Sequence, residues 1–403
     1  MGSWRKQFSF LLIVQFTVMT AHGMFIPILP AYLIEIGGLN SDQLLVWSGL
    51  IFGANFLSMM IAMPLLGKIG DRYGQKPVMI WSGFGMVIVT FLMFFAQHPL
   101  DLVILRFIQG CFTGILPFTM VLVVLGSPKE KVGVSVGSLQ MAGELGSVIG
   151  PLLGGALLIF LHAKSVMPMM SFFILLGSLC VLWFIKEPER TVHVLPKQNL
   201  IEDWRQVWQT RPFQQLLISA FCINFALVGT SPIIHFYIKQ SSHLIWSEAL
   251  SIGIALAATS LAVILFSPLL GKLADRIGPL PLLKIATFAA AILGFTQMYV
   301  HSYLSILICR FLLGLCVAAM IPNIQAQIRR YMKPGMESRT FMISNSWMFM
   351  GSLLGPLLSG EITAILGVNG WFGVTGCIFA ISCWQAFRIG RTAYVHKPSY
   401  NPN

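Results

Sequence analysis

One carboxylate stands apart in this chain. Glu144, within SLQMAGELGSVIG, is the only acidic residue placed well inside a long apolar stretch. Ionised groups are costly in hydrocarbon and are kept where they bind or move charge. A carboxyl in that setting can take a proton from one side and release it to the other. Arg106, in LVILRFIQG, is its candidate partner. A guanidinium keeps its proton in proteins, so Arg106 is no proton carrier. It can hold a nearby carboxylate charged and respond when that carboxylate is neutralised. Plainer readings stand beside these. Arg106 is only a few residues into its apolar run and can snorkel. Glu144 can be a structural carboxylate bonded to backbone or to Arg106.

Other chemistries lack their residues. No GxxxxGK[ST] loop, HExxH or CxxC occurs, and no nucleophile–base pair suggests an enzyme. The seven cysteines lie in apolar runs and read as small core hydrophobes. The chain is therefore expected to need no cofactor and no metal, and to bind no nucleotide.

The elements that must position Glu144 and Arg106 follow from composition. Of 403 residues, 56% are hydrophobic and 10% charged, where soluble domains carry about 25% charged residues. A bilayer is the matching solvent. The net charge of +12 does not imply nucleic acid, because the basic residues are scattered in short clusters between apolar runs. Each apolar run is long enough for a helix of about 20 residues to cross a membrane. Spans are expected at 8–35, 43–66, 78–97, 101–126, 133–161, 166–185, 213–238, 246–270, 280–300, 302–328, 340–365 and 371–389. The first lacks a small-residue cleavage site and is read as a retained span. Glu144 then lies about 18 Å into the fifth helix, at 1.5 Å per residue.

Lysine and arginine set the orientation. With the N-terminus in the cytoplasm, 22 of the 26 basic residues fall in the tails and inner loops. A wrong span count would scramble that parity, so both termini are expected inside. The organisation is an all-α membrane protein of two six-helix bundles, 1–185 and 213–403. They are joined by a cytoplasmic linker, 186–212, with a short helix expected at 201–209.

The halves repeat. GKIGDRYGQKP from Gly67 returns as GKLADRIGPLP from Gly271, a shift of 204. Asp71 maps to Asp275, Arg72 to Arg276, Gly74 to Gly278 and Arg106 to Arg310 with the same shift. Gly150 and Pro151 map to Gly355 and Pro356, and Pro27 to Pro232, at a shift of 205. Repeated membrane halves are the build of secondary transporters, with the site between the repeats.

Over essentially its whole length the chain resembles the major facilitator superfamily. Gly67, Asp71, Arg72, Gly74 and Lys76 match that family's G-x-x-x-D-R-x-G-x-K signature between the second and third spans. The second copy keeps Gly271, Asp275, Arg276 and Gly278 but has Leu280 in place of the lysine. The resemblance implies a gating loop, with Asp71 at the N-terminal end of the eleventh span and Arg72 and Lys76 facing carboxylates or lipid head groups. Gly146, Gly150, Pro151, Gly154 and Gly155 match the G-x-x-x-G-P-x-x-G-G signature of the drug:proton antiporter branch. Physically, glycines four apart allow close helix approach, and proline can bend a helix. In the family the first, fourth, seventh and tenth spans line the cavity, which favours His22, Asn224, His235, Asn323 and Gln325 there. A lone polar residue in a span also commonly bonds a neighbouring helix.

The resemblance implies a proton-driven exporter of small amphipathic substrates in a bacterial inner membrane, working as a monomer in the lipid bilayer. Its partners would be protons and the substrate, with no nucleic acid. Alternatives are a dedicated exporter of one metabolite such as a siderophore or sugar, an uptake symporter, or a non-transporting sensor. The scarcity of acids in the spans suits a neutral or anionic substrate.

Overall fold

Backbone amides and carbonyls have no water to bond in lipid, so each crossing must pair its own. The computed structural model describes residues 2–37, 41–187, 211–239, 248–330 and 336–395, and among them every regular element is helical. The first three spans are Gly2–Gly37, Ser41–Tyr73 and Gln75–Leu92. The fourth is Pro99–Cys111 continued by Ile115–Gly126 across a turn at Phe112. The fifth and sixth are Val132–Phe160 and Val166–Phe184. The seventh is Arg211–Gly229 followed by Ile233–Lys239. The eighth to tenth are Glu248–Ile277, Pro279–Gln297 and Tyr303–Arg329. Glu337–Val395 holds the eleventh and twelfth, separated at Gly367 where φ is 75°. Eleven described helices are long and apolar enough to cross a membrane; the last of them, broken at Gly367, makes two crossings, which gives the expected twelve. The linker helix expected at 201–209 lies outside the described residues.

The segment from Gly67 to Lys76 is not the loop its glycines suggest. The second span stays helical through Tyr73, and only Gly74, at φ 114°, turns the chain before the third span begins at Gln75. The eighth span likewise runs to Ile277, with Gly278 at φ 93° as the turn. Glycine adopts such a φ without the clash a Cβ would bring. Asp71 and Asp275 are thus carried on rigid helix ends, where helical pairing satisfies the backbone.

Within the first bundle, the first span packs on the fifth and sixth, the second on the fourth, and the third on the fourth and sixth. In the second bundle the seventh packs on the eleventh–twelfth stretch, and the tenth on the eighth and ninth. Two seams join the bundles, the fifth span against the eighth and the second against the eleventh.

Glycines set the closest approaches. A Cβ on Gly146 or Gly154 would lie 2.6 or 2.7 Å from the carbonyl of Phe16 or Met24 on the first span, and one on Gly150 would collide with that of Thr20. Gly155 points away, with nothing within 4 Å of an added Cβ. The helix continues through Pro151, whose ring packs against Gly23 of the first span.

The duplication extends to side-chain bonds. Asn55 donates to the Arg106 carbonyl at 3.0 Å, and Thr259, 204 residues on, to the Arg310 carbonyl at 3.2 Å. Tyr32 donates to the carbonyl of Met93, and Tyr237 to that of Gln297. Gly355 meets the seventh span at Phe225 and Gly229 as Gly150 meets the first.

Replacing Gly150 with leucine is expected to cost at least about 1–3 kcal/mol by overpacking against the first span. Gly155→Ala should stay within about 0.5 kcal/mol. Thermal unfolding of the purified variants in detergent checks the contrast.

Candidate functional site

The first four N–H groups of a helix have no partner inside it, and the helix dipole makes that end attract anions. Two such ends meet carboxylates here, each supplied by the other bundle. Asp71, at the end of the second span, accepts from the amides of Ser338 at 2.7 Å and Arg339 at 3.0 Å, in the first turn of the eleventh. Asp275, at the end of the eighth, accepts from Gly133 at 2.7 Å and Val134 at 3.0 Å, in the first turn of the fifth. Both contacts lie at the end of the molecule that carries Arg72 and Arg276, called the basic end below.

Gly67 and Gly271 make these contacts reachable. A Cβ on Gly67 would sit 2.9 Å from the Arg339 Cα, and one on Gly271 would collide with Gly133. The two latches differ in one respect. Arg339 Nε lies 3.4 Å from Asp71 Oδ2, with both side chains buried. Val134 stands at the corresponding place beside Asp275 and offers no charge. Leu280, in place of a lysine, leaves the Asp275 latch intact, because capping needs only the carboxylate and two amides.

Arg72 is exposed, its guanidinium 5.0 Å from the centroid of the Tyr73 ring. The start of the third span is capped by a residue that motif spacing does not reveal. Glu187, just beyond the sixth span, accepts from the amides of Gln75 at 2.8 Å and Lys76 at 2.7 Å. Its only sequence signal is a carboxylate placed directly after a span.

Deeper in the membrane, Arg106 and Glu144 do not pair. Arg106 is buried and donates to Gln109 Oε1 at 2.6 Å, and Gln109 donates to Thr90 at 2.7 Å. Its guanidinium stacks on Phe25, 3.6 Å from the ring centroid, with Phe52 at 5.6 Å. It makes no ion pair with any described carboxylate. Arg310 is also buried, 5.6 Å from the centroid of Phe372. Glu144 lies beside Ser260 of the eighth span. The glycines of the fifth span face the first span while Glu144 faces the opposite bundle, so its place is a seam between bundles.

The polar cavity candidates bond mostly within their own helices. His22 Nδ1 lies 3.1 Å from the Val18 carbonyl, Asn224 donates to Ala220 at 3.0 Å and Asn323 to Ala319 at 2.6 Å. Gln325 reaches Met348 Sδ on the eleventh span at 3.5 Å. His22 Nε2, Asn323 Oδ1 and Gln325 Oε1 are buried and have no hydrogen-bond partner among the described residues. His235 lies on Ile233–Lys239, and its side chain is outside what the structure describes. Ser260, Arg339 and Glu187 escaped sequence reasoning, because each matters through a partner distant in the chain.

Two matched helical bundles, latched end to end across a membrane seam, define a membrane transporter rather than an enzyme. The model of the Major Facilitator Superfamily matches the chain at residues 11–250 and 241–401. The chain belongs to that superfamily. It is 28% identical over 394 residues to the multidrug resistance protein MdtG of Salmonella typhimurium, covering 97% of this chain and 98% of that one. The same protein of Salmonella typhi matches at the same identity and coverage. The fold resembles the human organic anion transporter MFSD10, with a TM-score of 0.79, 16% identity and coverage of 95% and 99%. It also resembles the Escherichia coli fucose:proton symporter FucP, with a TM-score of 0.80, 16% identity and coverage of 96% and 99%.

A charge at a helix N-terminus contributes about 0.3–2 kcal/mol. Asp71→Asn should therefore raise the population opened at the basic end by about 2- to 30-fold. Asp275→Asn should raise it less, because its latch lacks the arginine. Distances between spin labels at positions 131 and 272, in a cysteine-free background, check both.

Proposed function

We propose that the protein is a secondary active transporter exporting amphipathic drugs or toxic small molecules in exchange for protons. The observation that carries this reading is the pair of reciprocal carboxylate latches joining two matched bundles. Such latches hold one end shut with contacts that can all break together when the bundles rock. The multidrug resistance relatives support export. The proton gradient supplies the energy, with no cofactor. The protein acts as a monomer in a bacterial cytoplasmic membrane, with the basic end and both termini in the cytoplasm, as the lysine and arginine distribution implies. Residues 1–185 and 213–403 are the moving bundles and 186–212 the linker.

Glu144 is the proton carrier in this scheme. As a carboxylate it only accepts, and the Ser260 hydroxyl can serve it; once protonated it also donates. Gain or loss of a proton therefore rewrites a bond across the fifth–eighth seam, and so biases the bundles toward one arrangement. Arg106 is a fixed positive charge on the wall of the first bundle, and its bond to Gln109 separates its role from direct pairing with Glu144. His22, Asn323 and Gln325 offer buried acceptor atoms to a substrate that can donate.

A second reading has its own support. Arg106 and Arg310 are buried cations, and Glu144 is the only acid at mid-membrane depth among the described spans. That balance suits a dedicated exporter of a neutral or anionic metabolite.

The test uses protein reconstituted in vesicles with a pH-sensitive dye and a panel of cationic, neutral and anionic amphipathic compounds. Wild type should move protons when several compounds are added, and Glu144→Gln should lose that movement while still binding them. Export by Glu144→Gln with unchanged pH dependence would sink the coupling assignment. A response to one anionic compound alone would favour the dedicated exporter.

A further inference from the structure

A cleft of about 690 Å³ lies on the flank of the first bundle, away from both seams. Its floor is one face of the third span, formed by Ile80, Trp81, Phe84 and Ile88, and Phe112 of the fourth span is its side wall. Phe112 stands at the turn that divides the fourth span into two helices. There it rests against Gly85, where a side chain would collide with its ring, and lies 4.7 Å from Trp81 between ring centroids. Trp81 and Ile88 are exposed on the membrane-facing surface, 52% and 60%. The cleft is apolar along its length and charged at one end only, where Lys76 closes it at the basic end. The Lys76 amide is taken by Glu187, but its ammonium makes no ion pair or hydrogen bond with any described residue.

From Lys76 to Ile88 the third span rises about 18 Å at 1.5 Å per residue. Half of a bilayer's hydrocarbon core is about 15 Å. The cleft therefore spans one leaflet, with its cation at head-group depth and its aromatic walls at acyl-chain depth. We propose that this cleft is a binding site for one anionic phospholipid of the leaflet at the basic end. The acyl chain lies along Ile80, Phe84 and Ile88, and the phosphate meets the Lys76 ammonium. A substrate on its way to the centre of the molecule fits less well, because the third span takes no part in either seam. A zwitterionic lipid would fill the apolar part equally well, so the lysine is what selects for net negative charge. Arg72, exposed at the end of the second span, adds to the positive potential, while the Glu187 carboxylate accepts from the amides of Gln75 and Lys76.

The experiment places full-length protein in vesicles of phosphatidylcholine containing a small fraction of lipid brominated on its acyl chains. The signal is quenching of Trp81, isolated as the difference between wild type and Trp81→Phe. Brominated phosphatidylglycerol should quench at a mole fraction about fivefold lower than brominated phosphatidylcholine, the factor that one lysine near an anionic head group supplies. Lys76→Gln should abolish the preference while leaving quenching by phosphatidylcholine in place, and Lys76→Arg should keep it. Equal quenching by the two lipids in wild type would overturn the proposal, as would a preference that survives in Lys76→Gln. Displacement of the brominated lipid by a soluble amphipathic compound at low concentration would overturn it in favour of a substrate entry site. Unchanged melting temperatures of the three variants in detergent show that the fold is intact.

Discussion

A carboxylate on the buried N-terminus of a helix from the other bundle is the contact on which the arrangement of the two bundles turns. An α-helix cannot satisfy its first amides from within, and Ser338, Arg339 and Gly133 are buried from water. Each bundle here offers one such end, at Glu337–Arg339 or Val132–Val134, and the other bundle supplies the acid. Exchange of a carboxylate for a helix end stabilises the closed seam modestly, by about 0.3–2 kcal/mol for each. That size suits the proposed gate. A much stronger bond would hold the bundles in one state, and a weaker one would leave no preference.

The repeat makes the two latches alike, and their different neighbours make them unequal. Asp71 has Arg339 beside it as well as two amides, whereas Asp275 has only amides. The third span begins at a lysine-bearing turn capped by Glu187, while the ninth begins with Pro279, which has no amide to donate. Asp71 of the reinforced latch and Lys76 of the flank cleft lie in the first half, while the arginine that reinforces the latch comes from the second.

Inside the membrane the two halves keep their buried arginines and differ in what surrounds them. Arg106 sits against Phe25 with Gln109 as its acceptor, and Arg310 lies near Phe372. An arginine stacked on aromatic faces is less exposed to the cost of desolvation than a bare cation, because the ring faces attract it. Glu144 is separate from both and belongs to the seam. Among the described residues, charge at mid-membrane depth is therefore divided between fixed cations within each bundle and one acid between them.

The number of spans, the repeat and the identity of the latch acids were legible in the chain, because each is a local or periodic property. Apolar length reports a crossing, and a shift of 204 brings Asp71 onto Asp275. What the chain alone left open were the partners. Gly67 and Gly271 read as loop residues because glycine breaks isolated helices, yet here they continue helices whose faces press on the other bundle. Glu144 was visible as an acid within a span, but its place beside Ser260 was not, and its pairing with Arg106 was one of the arrangements the sequence allowed. Those choices belong to tertiary structure, since they depend on which faces of distant helices come within hydrogen-bond reach, and no spacing along the chain encodes that distance.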